Sequence, residues 1–276
     1  MAAASDLDGG FADRALPPGS ARFFSHLFAA PAARPALLGC FALAAEWQLL
    51  LDPSTPHDVL PVKIGWWQEE ILRLTRGAAR HPVSVYLASL PGARPALFEP
   101  LERAIEAIAL EAGGVPLEQP EDLAAHALAL IGTPLKLAAD LAYPPHTADA
   151  NAIGLPMLAQ AEYLARSLRD YRREARAGRV PFVVADLLAA GIETRELAAS
   201  DPSPALRGYL DGLRTRADES FRRAQADLAP TLRAPLRHQL VLAALGRVRL
   251  ARRSPSRLAS LQDMLTAWNT ARRATR

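Results

Sequence analysis

Lys63-Ile-Gly-Trp-Trp-Gln-Glu-Glu-Ile-Leu-Arg-Leu-Thr-Arg-Gly-Ala-Ala-Arg-His-Pro-Val83 is the stretch of this 276-residue chain that decides its fold. Two of the four tryptophans are adjacent there, and Trp67, Ile71 and Leu74 share one face of a helix. Neighbouring side chains on a helix point roughly 100° apart, so Trp66 and Trp67 are both buried only where other helices cover two sides. The stretch therefore predicts an interior helix of a large helical domain, with both indole rings buried.

The bulk composition favours helices throughout the chain. Half of the residues are apolar, which is enough for a substantial core, and the formal net charge is only +3. Alanine, leucine and arginine dominate, whereas β-branched residues are sparse. We predict an all-α fold, a single helical domain over residues 21–276, preceded by a loose Gly-, Pro- and Asp-rich segment over residues 1–20.

Apolar periodicity, glycine stops and prolines place the individual helices. The predicted helices cover residues 21–31, 34–51, 58–76, 93–112, 121–143, 151–177, 202–228, 231–251 and 256–273, with shorter pieces at 81–90, 186–190 and 194–199. Pro134 is expected to kink the helix that contains it. Residues 180–184 are predicted to be extended, and Trp47 and Trp268 are predicted to pack in the core.

The single cysteine and the absence of obvious targeting segments suggest where the protein functions. Cys40 has no second cysteine to pair with, which excludes an internal disulfide and a cysteine-based metal site. The first residues show neither the basic start nor the apolar stretch of a signal peptide. The longest apolar run, residues 37–51, is interrupted by Glu46 and Gln48 and is too short to span a bilayer. These features predict a cytoplasmic protein.

A polar cluster on the predicted helix over residues 151–177 is the candidate site of chemistry. Arg166, Asp170 and Glu174 lie four residues apart and share one helix face. Two carboxylates at this spacing suit Mg²⁺, which takes oxygen ligands from one or two carboxylates and from substrate phosphates. The same spacing fits an ordinary solvated face on which Arg166 neutralises Asp170. Spacing alone leaves both interpretations open.

The order of these motifs resembles the squalene/phytoene synthase family, the head-to-head branch of the isoprenoid synthases. The tryptophan pair with Glu70 and the following His81-Pro82-Val83 are similar to the family's Trp-Trp-x-x-Glu-Leu helix and its His-Pro-Val turn. Three further segments carry the resemblance. Leu168-Arg169-Asp170 and Glu174-Ala-Arg-x-Gly-Arg-Val-Pro181 resemble the family's second aspartate-rich motif and the residues that follow it. Arg22-Phe23-Phe24, with Pro31 and Arg34, resembles the family's first helix. The resemblance covers about residues 20–250.

The resemblance implies one bundle of helices around a central cavity. In active members, two facing aspartate-rich motifs hold Mg²⁺ there, and the metal draws off the diphosphate of two allylic substrates that are then joined. Carried over to this chain, the metal-binding and catalytic positions are Asp170 and Glu174. The substrate-binding positions are Arg22, Asp52, Tyr163, Arg166 and Arg169.

The first aspartate-rich motif departs from the family's pattern. It aligns with residues 45–52, where Ala45 replaces the usual arginine. Gln48 and Leu49 stand at two of the usual three aspartates, and only Asp52 matches. Leucine cannot ligate a cation, and a neutral amide is a poor substitute for a carboxylate.

The second motif changes in the opposite electrostatic direction. Arg166 stands where the family has asparagine, Tyr163 where it has glutamine and Glu174 where it has the final aspartate. Arg22 replaces the serine expected to contact diphosphate. We therefore expect Arg166 to occupy a Mg²⁺ position and to pair with Asp170, which removes the main electrostatic driver of diphosphate ionisation.

Three functions fit these changes. The first is a squalene/phytoene synthase-like protein that lacks Mg²⁺-dependent prenyl coupling and acts as a binding or assembly factor, as a mitochondrial complex I assembly factor of the same family does. The alternative is an active prenyl-diphosphate transferase in which arginine clamps bind diphosphate. The third is a helical domain with no prenyl ligand, which predicts a cavity filled by bulky side chains.

Cofactor and partners follow from the same reasoning. No cofactor is expected, and Mg²⁺ is expected only if the family activity survives. A prenyl or other apolar ligand in the central cavity and a protein partner are the candidate partners. Residues 247–276 contain eight arginines and one acid, Asp263, which makes this end a candidate peripheral membrane contact or a solvated helix face. No nucleic-acid-binding motif is present.

Overall fold

The computed structural model describes residue 7 and residues 9–52, 55–56, 58–143, 154–252 and 258–276. These residues form an all-α domain with one isolated parallel bridge between Leu117 and Val183. The helices are α1 (Gly9–Ala15), α2 (Ala21–Leu27), α3 (Arg34–Leu50), α4 (Leu60–Thr75), α5 (Pro82–Ser89), α6 (Leu101–Ala112), α7 (Pro120–Ala127), α8 (Thr133–Ala142), α9 (Leu155–Arg176), α10 (Val184–Ala189), α11 (Pro204–Ala226), α12 (Pro230–Arg233), α13 (Arg237–Ala251) and α14 (Ala259–Ala274).

The tryptophan helix α4 is covered on one side only. Trp67, Ile71 and Leu74 are buried as predicted, and the Trp67 ring meets Trp47 edge-on at 6.0 Å. Trp66 is 44% exposed, so the prediction that both adjacent tryptophans are buried is wrong. Its ring lies against the Trp67 ring at 5.3 Å, and the guanidinium of Arg73 lies 5.9 Å from its centre. These ring and cation contacts let a large indole remain near solvent.

Glu70 explains why the tryptophan helix and the His-Pro-Val turn occur together. Its side chain is fully buried, and its Oε1 accepts the backbone N–H groups of Arg80 at 2.8 Å and His81 at 2.7 Å. Its Oε2 accepts a hydrogen bond from Nε of Arg73 at 3.0 Å. His81 in turn caps α5, because its Nδ1 accepts from the backbone N–H of Val83. One carboxylate thus fixes the end of α4 against the start of α5.

The helix predicted over residues 121–143 is interrupted by a π-helical turn at Leu128–Gly132, between α7 and α8. Pro134 follows it in the first turn of α8, where its missing N–H leaves no intrahelical bond unmade. The break in the regular helix thus lies directly before Pro134, and it takes the form of a π-helical turn. It places Leu130 and Ile131 along one wall of the interior cavity.

The long helix α9 lies at the centre of the bundle and packs most extensively against α11. It also contacts the π-turn, α7 and α13. Gly246 of α13 permits a close approach to α11, since a Cβ there would come within 2.3 Å of the ring of Phe221. Larger side chains at Gly246 would push the two helices apart and change the cavity that they enclose.

The first helix corrects one sequence-based expectation. Residues 9–15 form α1, and Ala15 is completely buried against α3, so the segment over residues 1–20 is not loose in this part. Residues 1–6 and 8 lie outside the described residues. The extended segment predicted at 180–184 contains the bridging residue Val183, whereas Val184 already begins α10.

Candidate functional site

A cavity of about 680 Å³ lies among α2, α3, α8, α9 and α13. Its apolar wall comes from residues on several helices that pack around α9: Phe41, Ala44, Trp47, Ile108, Leu130, Ile131, Pro134, Leu135, Ala165, Leu168, Leu242 and Leu250. This space is open, so the filled interior expected of a helical domain without a ligand is not present. A volume of this size is typical of small-molecule sites.

The polar wall of the cavity is strongly basic. Seven arginines line it: Arg14, Arg22, Arg166, Arg169, Arg214, Arg249 and Arg252. The one acidic residue in this lining is Glu162 on α9. A concave site with this balance of charge attracts anions.

Six of these arginines already have an acidic partner outside the cavity lining. Arg14 pairs with Glu46, Arg166 with Glu111, Arg169 with Asp170, Arg214 with Asp211, and both Arg249 and Arg252 with Asp263. These pairs hold the guanidinium groups in place without consuming all of their five N–H donors. The wall is therefore a preorganised set of donors.

Arg22 is the exception in the basic wall. Within the described residues its side chain forms no salt bridge and no hydrogen bond, and its guanidinium lies 5.8 Å from the centre of the Phe41 ring. Burial, with Arg166 and Arg169 nearby, lowers the pKa of Arg22 to about 10, although Glu162 opposes the shift. It remains a cation at neutral pH and lacks a close counter-ion, which favours binding of an anion beside it.

Glu162 lies on the same wall and is also incompletely satisfied. Its Oε1 is buried and has no hydrogen-bond partner among the described residues. Burial raises the pKa of Glu162 to about 7, although Arg22, Arg249 and Arg169 favour its charged form. The cavity therefore contains a carboxyl group that can be protonated or charged near neutral pH.

Arg166 does not pair with Asp170, so that sequence-based expectation is wrong. Its Nη2 donates to both carboxylate oxygens of Glu111 on α6, at 2.6 and 2.7 Å, and Nε2 of His126 lies 3.0 Å from the same carboxylate. Although burial alone would raise it, the pKa of Glu111 is lowered to about 2 by Arg166 and His126. His126 itself is buried, so this polar cluster is largely shielded from solvent.

The two predicted metal ligands lie away from the wall of the large cavity. Asp170 accepts from Arg169 at 2.8 Å and lies 3.5 Å from Nη2 of Arg173. Glu174 pairs with Arg179 at 2.6 Å and borders a separate crevice of about 20 Å³ with Glu111 and Tyr163. Both carboxylates are therefore neutralised by arginines of their own helix or of the loop that follows it.

The remaining predicted positions divide between the cavity and its surroundings. Arg22, Arg166 and Arg169 line the cavity. Tyr163 is buried, with its ring 5.3 Å from His126 and 5.0 Å from the guanidinium of Arg166, and burial raises its pKa. Asp52 is exposed just beyond α3, where Arg179 donates to the neighbouring carbonyl of Leu51 at 2.9 Å.

These residues do not fit a magnesium cluster of the family's kind. The wall of α3 offers Trp47 and Gln48 to the cavity, and Leu49 beside them has no ligating atom. Glu162 is a lone acid facing several guanidinium groups. The described part of the chain has no group of three or more His, Cys, Asp or Glu side chains arranged to hold a metal ion.

Comparison with known proteins places this geometry in a family. The sequence profile described as squalene/phytoene synthase matches residues 18–275. The chain belongs to the squalene/phytoene synthase family. The resemblance inferred from the tryptophan and aspartate motifs is thereby confirmed, as is the all-α isoprenoid synthase fold. No curated protein matches the chain.

Two solved structures show how far the fold of this squalene/phytoene synthase family member is shared. A dehydrosqualene synthase determined in complex with a ligand superposes with a TM-score of 0.71 at 13% identity, covering 97% of this chain and 100% of that one. The squalene synthase HpnC from Alicyclobacillus acidocaldarius gives 0.67 at 20% identity, covering 89% and 93%. At these identities the likeness concerns the fold.

Sequence reasoning missed three residues that shape the site, and it missed the structural role of a fourth residue that lies away from it. Glu111 and Arg249 lie on α6 and α13, and no local spacing connects them with α9. Glu162 lies on the same predicted helix as the polar cluster, but it precedes the residues that resemble the aspartate-rich motif. Glu70 belongs to the tryptophan motif, yet only the structure shows that it binds the turn before α5.

Proposed function

We propose that this squalene/phytoene synthase family member binds an amphiphilic anion, a prenyl diphosphate or a lipid of similar chemistry, without Mg²⁺, and serves as a binding or assembly factor. The observation that carries the proposal is Arg22, a partly buried cation without a close acidic partner in a cavity that is apolar on its other walls. An anionic head group would supply the missing counter-charge, and an apolar chain would fill the remaining space.

The charges of the cavity argue against classical coupling. A diphosphate leaves easily when several metal ions bridge it to carboxylates on both walls. Here Asp170 and Glu174 are paired with arginines, and the opposite wall presents Gln48. The arginines suffice to hold a phosphate, whereas a Mg²⁺ ion next to them would be repelled.

The alternative is an active prenyl-diphosphate transferase, and the same arginine wall favours it. Guanidinium groups that donate to a departing diphosphate stabilise its developing charge, as metal ions do in other family members. The two functions share a binding site and differ in turnover. They are separated by one experiment on the intact protein.

That experiment measures binding of farnesyl and geranylgeranyl diphosphate by calorimetry, with EDTA and with Mg²⁺, and assays diphosphate release in the same samples. We expect equal affinity in both conditions, no release, and no turnover in Asp170→Ala. Arg22→Gln should weaken binding about 10- to 100-fold, since hydrogen bonds to charged groups contribute about 1.5–3 kcal/mol. Arg195→Gln, at an exposed surface pair with Glu193, is the control and should bind normally.

Two results would decide against the proposal. Diphosphate release with formation of a C30 or C40 product would establish the transferase instead. Binding that requires Mg²⁺, or no binding of either diphosphate, would remove the metal-free anion site. Thermal unfolding of Arg22→Gln verifies that the variant is folded. We expect no loss of stability, because the substitution removes a partly buried charge that has no close acidic partner.

Glu162 gives the protein a predictable pH dependence. Its folded pKa of about 7 lies above the ordinary value for glutamate, so the folded state holds this proton more tightly than the unfolded state. The contribution of Glu162 to the free energy of unfolding is fully present at low pH, where the carboxyl is protonated. It declines as pH rises from about 4.5 to 7. Glu162→Gln should leave stability unchanged near pH 5 and raise it by roughly 2–3 kcal/mol at pH 8.

The affinity for an anionic ligand should also depend on whether Glu162 is protonated. A bound anion next to Glu162, Arg22, Arg169 and Arg249 favours the protonated carboxyl, so binding by the native protein should weaken above pH 7. The ratio of dissociation constants between the native protein and Glu162→Gln cancels the ionisation of the ligand itself. It should be near one at pH 6 and rise to about tenfold by pH 8.5; a constant ratio would place the anion elsewhere.

A further inference from the structure

The last helix, α14, presents an unpartnered apolar stripe to solvent. Leu261, Leu265 and Trp268 are 49%, 47% and 46% exposed, and Met264 lies beside them at 42%. At about 100° per residue, these side chains fall on one side of the helix. The buried residues Asp263, Ala267 and Ala271 point the other way, toward α13. Trp268, predicted from sequence to pack in the core, is therefore a surface residue.

The stripe is bordered by positive charge. Arg272, Arg273 and Arg276 are exposed at its end, and the guanidinium of Arg272 lies 4.6 Å from the centre of the Trp268 ring. Between residues 258 and 276, Asp263 is the one acidic side chain, and it is buried. An apolar stripe with tryptophan, a basic border and no exposed acidic side chain is the pattern of a helix that lies in the interface of an anionic bilayer.

The inner face of the same helix contacts the basic wall of the cavity. The Asp263 carboxylate accepts from Arg249 at 2.8 Å and from Arg252 at 2.6 Å, and both arginines line the cavity. Arg249 also donates to the carbonyl of Gly19 at 2.7 Å, just before α2. A surface that binds α14 therefore lies one helix away from this part of the cavity wall.

The exposed stripe and its arginines point to a membrane: we propose that α14 docks on an anionic lipid surface and holds the arginine-lined cavity close to the bilayer interface. None of the helices in the described ranges combines the length and the apolar character that a bilayer crossing needs. The contact is thus peripheral, with the helix lying along the surface. Passage of a ligand from the bilayer into the cavity rests on the proposed function, whereas docking itself does not.

A second copy of the chain fits the stripe less well than lipid does. Two copies meeting through this face would bring two sets of exposed arginines together without an exposed acid on the helix to offset them. Anionic head groups supply that missing charge, and each arginine near such a surface adds to the attraction.

The test is co-sedimentation of the full-length protein with phosphatidylcholine vesicles, with and without phosphatidylglycerol. We expect binding to the anionic vesicles that weakens with added salt. The pair Leu265→Gln and Trp268→Gln should reduce the partition coefficient about tenfold or more. Leu188→Gln, a 71% exposed leucine on α10, is the matched control and should bind like the native protein.

The outcomes are distinguishable. The double variant Arg272→Gln/Arg273→Gln should reduce binding to vesicles that contain phosphatidylglycerol, but not to pure phosphatidylcholine. If Leu265→Gln/Trp268→Gln loses helicity by circular dichroism, Leu261→Gln/Met264→Gln repeats the test of the apolar stripe. Equal binding of all variants, or no binding of the native protein, overturns the proposal. A dimer in light scattering that the stripe variants dissociate would assign the stripe to a second copy. Calorimetry with soluble diphosphate on the same variants reports the cavity separately, because none of these residues lines it.

Discussion

Arg166→Ala should destabilise the protein by roughly 3–5 kcal/mol, because it leaves the largely buried carboxylate of Glu111 without its main partner. Arg166 donates two short hydrogen bonds to that carboxylate from a helix 55 residues away in sequence. His126 alone cannot replace a guanidinium that is always charged. Urea unfolding monitored by circular dichroism gives the free energy, and the midpoint should fall without a change in the slope.

The pH dependence provides a second signature of the Arg166–Glu111 pair. Its lowered pKa of about 2 means that Glu111 stabilises the native protein above the ordinary glutamate pKa and loses this contribution as pH falls from about 4.5 to 2. Arg166→Ala should weaken that dependence. Arg169→Ala is the control, since the Arg169 side chain is 72% exposed and its partner Asp170 keeps Arg173 nearby, and it should cost about 1 kcal/mol or less. Equal losses in the two variants would contradict the assignment.

Glu70→Ala should also lower the free energy of unfolding by roughly 3–5 kcal/mol, since three donors lose their acceptor at once. Two are the backbone N–H groups that precede α5, and the third is Nε of Arg73. Burial alone would raise the pKa of Glu70, but these hydrogen bonds lower it, so the contribution exists above the ordinary glutamate pKa and fades as pH falls below it.

Glu69→Ala provides the matched control for Glu70→Ala. Glu69 is the preceding residue and pairs with the same Arg73, but its side chain is 60% exposed. A pair of this kind is worth at most about 1 kcal/mol. If both substitutions lowered the unfolding midpoint equally, the buried carboxylate would not be what joins the tryptophan helix to the next one.

The second aspartate motif of this family member is surrounded by arginines. Asp170 and Glu174 keep the positions of the motif, yet each is paired with arginines that lie within five residues of it in sequence. Arg166 and Glu111 bridge α9 and α6, which stabilises the bundle near the site. The carboxylates of the motif are thus paired locally, whereas Arg166 joins two helices beside a basic cavity.

The sequence by itself determined the all-α fold, the family and the loss of carboxylates from the first motif, because helix periodicity, Pro and Gly stops and motif order are properties of neighbouring residues. It also indicated added positive charge near the second motif, since Arg22 and Arg166 stand where the resemblance leads one to expect serine and asparagine.

Only the tertiary structure decided which charges meet. A spacing of four residues suggested that Arg166 pairs with Asp170, but the guanidinium reaches Glu111 on a neighbouring helix, where burial makes a charge-assisted bond stronger. Burial of Arg22 and Glu162 in one cavity, and exposure of Trp66 and Trp268, depend on how whole helices pack. The interaction energy of two charges depends on the distance between them to within a few ångströms. Distances between side chains on different helices cannot be read from the spacing of residues along one helix.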